Sequence, residues 1–240
     1  MYTTLDTNED AWESIRYLDV YDNRAVAKGG CNNGEFWELC FYDLSSPGEV
    51  TELAGSYYGG YNSLWGDKAV WFTMQQDGDY YDVKGYDFAS SELFYVTQDE
   101  ETQLDPRIQE NTVVYMDLRF GDSHFAGNWN HAAIFAYDLV THETTQVTSG
   151  EWIATYPDVY DGIVVWGDYR DCANPNNIGI YSCVEIWGYN LATGTEFQIT
   201  NLPGRAKQTP RIWGDKVFVD MAKSTGGSAI FMFDLPDGAK

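Results

Sequence analysis

The sequence predicts an all-β chain, a five-bladed β-propeller built from four-stranded antiparallel blades. Three observations carry this expectation. A phrase recurs five times, on the apolar anchors Val20, Leu64, Ile108, Val159 and Ile212, at spacings of 44, 44, 51 and 53 residues. Each copy holds several short runs rich in β-branched and aromatic residues, separated by Asn-, Asp- and Gly-rich turns. No segment shows a sustained helical period.

Within each repeat the strands follow in order. The anchor ends strand one, as in PDVYDGIVVW from Pro157 and PRIWGDKVFV from Pro210. A tight turn follows, reading YDN, WGD, QEN, YDG and WGD along the chain, the chemistry that hairpins between twisted strands require. The apolar triplets AVA, AVW, VVY, VVW and VFV then mark strand two. Strand three reads LCFYDL, VKGYDF, IFAYDL, IWGYNL and IFMFDL, with Asp43, Asp87, Asp138, Asn190 and Asp234 in one phase. Strand four reads EVTEL, ELFYVT, TTQVT and EFQIT, and the fifth repeat ends before supplying one. Residues near Tyr2 to Leu5 are expected to complete that blade, closing the ring and removing an exposed edge. The chain is then one domain, residues 1–240, with blades at about 16–55, 56–101, 102–150, 151–202 and 203–240 plus 1–8.

The phrase pairs P-x-(V/I)-x-x-(D/N)-x-(V/I)-V-(W/Y) with (Y/F)-(D/N)-L-x-(T/S)-G and a terminal (I/V)-T, and blade four carries it most fully. It resembles the TolB-like, WD40-like propeller repeats of bacterial and archaeal envelope proteins, over nearly the whole chain. The resemblance implies the fold and an envelope or secreted setting. It implies no role for any residue, because propellers host many activities. Two departures stand out: the turn does not read S-P-D-G, and five blades replace the six or more usual in that family.

Composition narrows the partners. The net charge of −23 repels phosphate backbones and anionic membrane surfaces, so a nucleic-acid partner is excluded. The acidic residues are scattered, which suits solubility better than a dedicated cation surface. No run of eighteen or more apolar residues exists, and no membrane insertion is expected. A monomer is expected. The N-terminal MYTTLDTNEDAW is polar and acidic, unlike a secretion signal. Four cysteines allow three pairings, and Cys31–Cys40 with Cys172–Cys183 is favoured because each pair brackets a Gly/Asn-rich loop. Two such staples point to an extracytoplasmic compartment. Four free buried thiols are the alternative.

The loops joining strand two to three, and strand four to the next strand one, are long, variable and aromatic-rich, and they share one face. Function on a rigid scaffold usually sits on such loops. The expected ligand contacts there are Trp12, Tyr57, Tyr58, Trp129, Trp152, Asp168 and Arg170. Aromatic faces with nearby Asn and Asp suit a carbohydrate or a partner protein. Taken singly, each ring more often packs a blade interface. Asp117, Asp168, Asp220 and His124 are the candidates should the protein instead be a polysaccharide-active glycosidase or lyase. Recurring Asp–Arg pairs more often staple blades than catalyse. A third reading is a structural domain of a larger surface protein. No cofactor fingerprint is present. Calcium is the one ion that the DGD at Asp77–Asp79 with Asp82 offers, although a solvated loop explains it better. The reading that results is an extracytoplasmic binding module, with a carbohydrate or protein ligand on the long-loop face.

Overall fold

The computed structural model describes residues 16–29, 31, 38–46, 50–55, 61–75, 80–121, 131–173, 181–205, 207–223 and 226–240. Among the described residues nineteen strands form five antiparallel sheets, four of four strands and a last of three. Blade one holds β1 (Arg16–Tyr21), β2 (Arg24–Gly29), β3 (Glu38–Asp43) and β4 (Val50–Gly55). Blade two holds β5 (Asn62–Trp65), β6 (Lys68–Met74), β7 (Tyr81–Asp87) and β8 (Glu92–Tyr95). Blade three holds β9 (Gln103–Gln109), β10 (Thr112–Asp117), β11 (Ala133–Asp138) and β12 (Thr144–Gln146). Blade four holds β13 (Ala154–Tyr160), β14 (Ile163–Asp168), β15 (Glu185–Asn190) and β16 (Thr195–Gln198). Blade five holds β17 (Lys207–Trp213), β18 (Lys216–Ala222) and β19 (Ser228–Asp234). The expected five-bladed propeller is therefore the observed fold, with strand order following chain order in every sheet.

The recurring residues are structural devices. Asp43, Asp87, Asp138 and Asn190 end strand three and cap the turn that follows. Each side-chain oxygen accepts the backbone N–H two residues on, at 2.8, 2.8, 2.7 and 2.8 Å. The Ser45 hydroxyl with the Ser45 N–H, and the Thr141 N–H with the Val140 N–H, hold the carboxyls of Asp43 and Asp138 below their ordinary range. The terminal Thr of the (I/V)-T pair has a second job. The hydroxyls of Thr97, Thr148 and Thr200 accept the N–H groups of Val83, Ile134 and Ile186 at 2.8–2.9 Å, closing strand four onto strand three. Gly85 and Gly188 are required for packing rather than for a turn. A Cβ at either would lie 2.1 or 2.4 Å from the ring of Phe94 or Phe197 on the neighbouring strand.

Apolar alternation packs the blades face to face. Leu64, Ile108, Val159 and Ile212 are buried, each in a cluster shared with the preceding blade. Between blades four and five, the Lys207 ammonium donates to Glu185 Oε1 at 3.0 Å and to the carbonyls of Val184, Leu202 and Arg205. Burial pushes the Lys207 pKa down, and the hydrogen bond and charge of Glu185 oppose it.

The seam between blades five and one differs. Val20, the anchor of blade one, is 50 % exposed, and Ile230 and Met232 on β19 are 76 % and 60 % exposed. The strand expected from Tyr2–Leu5 to complete blade five lies outside the described residues.

Both disulfides form as neighbour pairs, Cys31–Cys40 and Cys172–Cys183, and no cysteine among the described residues is free. Reduction should lower stability by about 2–3 kcal/mol per bridge in the chain-entropy model. Urea unfolding with and without dithiothreitol measures it, and coincident curves would show that the bridges are mechanically idle.

Candidate functional site

Of the expected ligand contacts, Trp152, Asp168 and Arg170 come together at the long-loop end of blade four. Asp168 ends β14 with its carboxylate fully buried. Its Oδ1 accepts the Arg170 backbone N–H at 2.9 Å and Nε–H at 2.8 Å. Its Oδ2 accepts Arg170 Nη2–H at 2.8 Å and the indole N–H groups of Trp152 and Trp166 at 3.1 and 2.7 Å. The Arg170 guanidinium lies over the rings of Trp152 and Trp187, 4.7 and 3.8 Å from their centroids. It also donates from Nη1 and Nη2 to the two carboxylate oxygens of Glu196, at 2.5 and 3.1 Å. The result is a cation held between two indoles by two bidentate carboxylates, a rigid half-buried platform.

Blade three repeats the device in a simpler form. Asp117 Oδ1 accepts the Arg119 backbone N–H and Nε–H at 2.8 and 2.9 Å. Asp117 Oδ2 accepts from Arg119 Nη2 at 2.6 Å and Gln103 Nε2 at 3.2 Å. Arg119 also reaches Asp99 and stacks on Phe135. In blade five the Asp220 side chain is exposed. Trp12, Tyr57, Tyr58, Trp129, His124 and Asp77–Asp79 lie outside the described residues. Asp82 is buried beside Thr97, whose hydroxyl donates to it at 3.3 Å, and burial raises its pKa. Among the described residues no cluster of three or more His, Cys, Asp or Glu side chains could hold a metal ion. Nor is any helix among them long and apolar enough to cross a membrane.

A second constellation, absent from the sequence reading, lines the channel at the opposite, tight-turn end. All five inner strands border a cavity of about 540 Å³. The residue just before each anchor reads Asp19, Ser63, Arg107, Asp158 and Arg211 around the ring. Three of them perform one structural task. Asp19, Ser63 and Asp158 accept the anchor N–H of the next blade, at Leu64, Ile108 and Ile212, over 2.9, 3.3 and 2.9 Å. An arginine cannot accept, so Arg107 and Arg211 break the pattern. Two residues further along each strand stand Tyr21, Trp65, Gln109, Tyr160 and Trp213. The four rings meet across the axis, Trp65 lying 4.7, 6.2 and 5.8 Å from Tyr21, Tyr160 and Trp213.

One layer deeper are Tyr17, Tyr61, Asp105, Tyr156 and Thr209. Four of these five have positive φ, from 43° to 55°, at a bulge in the inner strand. Asp105 is 5 % exposed and its Oδ2 has no hydrogen-bond partner. Burial pushes its pKa up to about 7, against the pull of Arg107 and Arg211. The signal that could have found this ring is the aligned column itself: D, S, R, D, R is a column of polar residues beside an invariably apolar one.

No family model matches the chain, and no curated protein matches its sequence. Solved structures do match in fold. A protein assigned as TolB from Agrobacterium tumefaciens superposes with a TM-score of 0.64 at 12% identity, covering 92% of this chain and 83% of that one. Acinetobacter baumannii TolB gives 0.56 at 12% identity over 92% of this chain, which spans about half, 54%, of its length. An acylaminoacyl peptidase of Pyrococcus horikoshii gives 0.63 at 12% identity over 92% of this chain but 37% of its own. At such identities the likeness is one of fold: the chain is a propeller of TolB-like architecture.

Proposed function

We propose that the protein is an extracytoplasmic recognition module whose long-loop face holds a carbohydrate or a partner protein. The observation that carries this reading is the Trp152–Arg170–Trp187 stack. Its aromatic faces are fixed in place before any ligand arrives, so little side-chain entropy remains to be lost on binding. Asp117 and Asp168 favour binding over turnover. A carboxylate offers about four acceptor sites, and four and five donors respectively already occupy these two. Two disulfides support an oxidising compartment.

A glycan array and a pull-down, both with the oxidised protein, test the reading. Trp152→Ala is expected to weaken a detected interaction at least tenfold, while far-UV circular dichroism stays that of the intact ring. Trp129→Ala probes the segment between β10 and β11 that the sequence marks as a ligand contact. Unchanged affinity in both variants would place the ligand elsewhere on the molecule.

A further inference from the structure

The axial cavity at the tight-turn end is a different place, and its charges are unusually placed. Around the ring the signs alternate, Arg107, Asp158, Arg211, Asp19, with Ser63 filling the remaining position. The acidic members have structural work. Asp19 Oδ1 and Oδ2 accept the N–H groups of Val20 and Leu64, both at 2.9 Å. The basic members have almost none. Among the described residues Arg211 makes no ion pair within 4.0 Å, and its one hydrogen bond runs from Nη1 to the carbonyl of the adjoining Pro210 at 2.8 Å. Arg107 reaches the Asn62 carbonyl at 3.4 Å and approaches Asp19 Oδ2 only to 3.9 Å. Each guanidinium carries five N–H donors, so most of those facing the cavity are unspent.

Asp158 stands between the two guanidiniums in ring order, and Asp158, Asp19 and Asp105 offset their mutual repulsion only in part. Burial and the charge of Arg107 together push the Arg211 pKa down from its ordinary value. A carboxylate lying between them would relieve that repulsion and use the idle donors. A purely anionic ligand would still meet Asp158 and Asp19, and the field of a chain with net charge −23. A ligand carrying a carboxylate and an ammonium matches all four side chains and is neutral overall. The rings of Tyr21, Trp65, Tyr160 and Trp213 wall the same cavity and offer apolar and cation–π surface to its side chain. The volume of about 540 Å³ suits a small molecule.

We propose that this cavity binds a small zwitterion of α-amino-acid type, free or as a very short peptide, with its carboxylate between Arg107 and Arg211 and its ammonium beside Asp158 and Asp19. The test titrates the full chain by calorimetry with each of the twenty common amino acids and a panel of dipeptides, at up to millimolar concentration. Any compound that binds is then compared with its N-acetyl and C-terminal amide forms. The expected result is at least one binder whose affinity falls tenfold or more when either charge is blocked. Binding by free amino acids assigns a single residue as the ligand, and binding by dipeptides alone assigns a short peptide. Arg211→Gln should weaken the interaction at least tenfold, and Glu151→Gln, at an exposed position at the far end, should leave it unchanged. No heat from any compound, equal affinity of the blocked analogues, or a folded Arg211→Gln that binds as well as the parent would overturn the proposal. The analogue comparison uses the unaltered protein and stands even if the variant does not fold.

Discussion

Asp168→Ala should destabilise the protein by about 3–5 kcal/mol, the range for breaking a buried charge pair. The carboxylate is fully buried and receives five hydrogen bonds. Removing it strands the Trp166 indole N–H in the core, since that residue has no exposed surface. A buried donor without an acceptor costs about 1–3 kcal/mol. The Arg170 guanidinium keeps Glu196 but loses its inner partner. For a chain of this size the loss corresponds to roughly 6–20 °C in Tm. Asp220→Ala, on an exposed side chain at the corresponding end of blade five, is the control and should stay within about 0.5 kcal/mol of the parent. Chemical denaturation of the two variants measures both, and equal stabilities would show that the blade-four network contributes nothing net.

Asp105→Asn should stabilise the protein at pH 8 and change little at pH 4. The folded-state pKa is about 7, against an ordinary value of 3.8. Below about pH 4 the carboxyl is protonated in both folded and unfolded chains, and it adds no pH dependence. Between about pH 4 and pH 7 the unfolded chain releases the proton while the folded chain retains it, so stability falls as pH rises. Above pH 7 the folded protein carries a buried carboxylate whose Oδ2 is unpaired, and the deficit is complete. At about 1.4 kcal/mol per pKa unit the full deficit is roughly 4–5 kcal/mol. Asparagine keeps the shape, cannot ionise, and tolerates the left-handed backbone at this position, where φ is 51°. Stability curves of parent and variant should therefore diverge from pH 4 upward and run parallel above pH 7. Curves parallel throughout would show that Asp105 keeps an ordinary pKa in the folded protein.

Strand order, turn positions and the five-blade count were legible because they are local and repeated. An apolar anchor, an Asx-type turn and a β-branched triplet need only near neighbours to act, and five copies average out the variation of any one. The disulfide pairing was legible for a related reason. Each bridge spans a short loop, with sequence separations of 9 and 11, so neighbouring strands bring the sulfurs together. The repeated Asp residues at the end of strand three could be aligned but not interpreted. Their acceptors bond N–H groups two residues away, a contact that depends on the turn actually formed.

The site was harder to read. The repeat places Trp152, Asp168 and Arg170 on one face. That Arg170 would lie between Trp152 and Trp187 and be clamped by Glu196 required the pairing of β15 with β16. The axial ring has no local signature in the sequence. Asp19, Arg107, Asp158 and Arg211 are spread over 193 positions of the chain, and each alone is an unremarkable polar residue in a strand.

The sequence by itself determined the repeat, and with it the sheet, the blade and the number of blades, because hydrophobic period and turn chemistry act over a few residues. Only the tertiary structure decided which charges share a space. Closing the blades around one axis brings five equivalent positions within reach of each other. There a residue's role depends on what its counterparts in the other blades donate or accept: Asp19 and Asp158 accept a neighbour's backbone N–H, which Arg107 and Arg211 cannot do, and both arginines line the cavity.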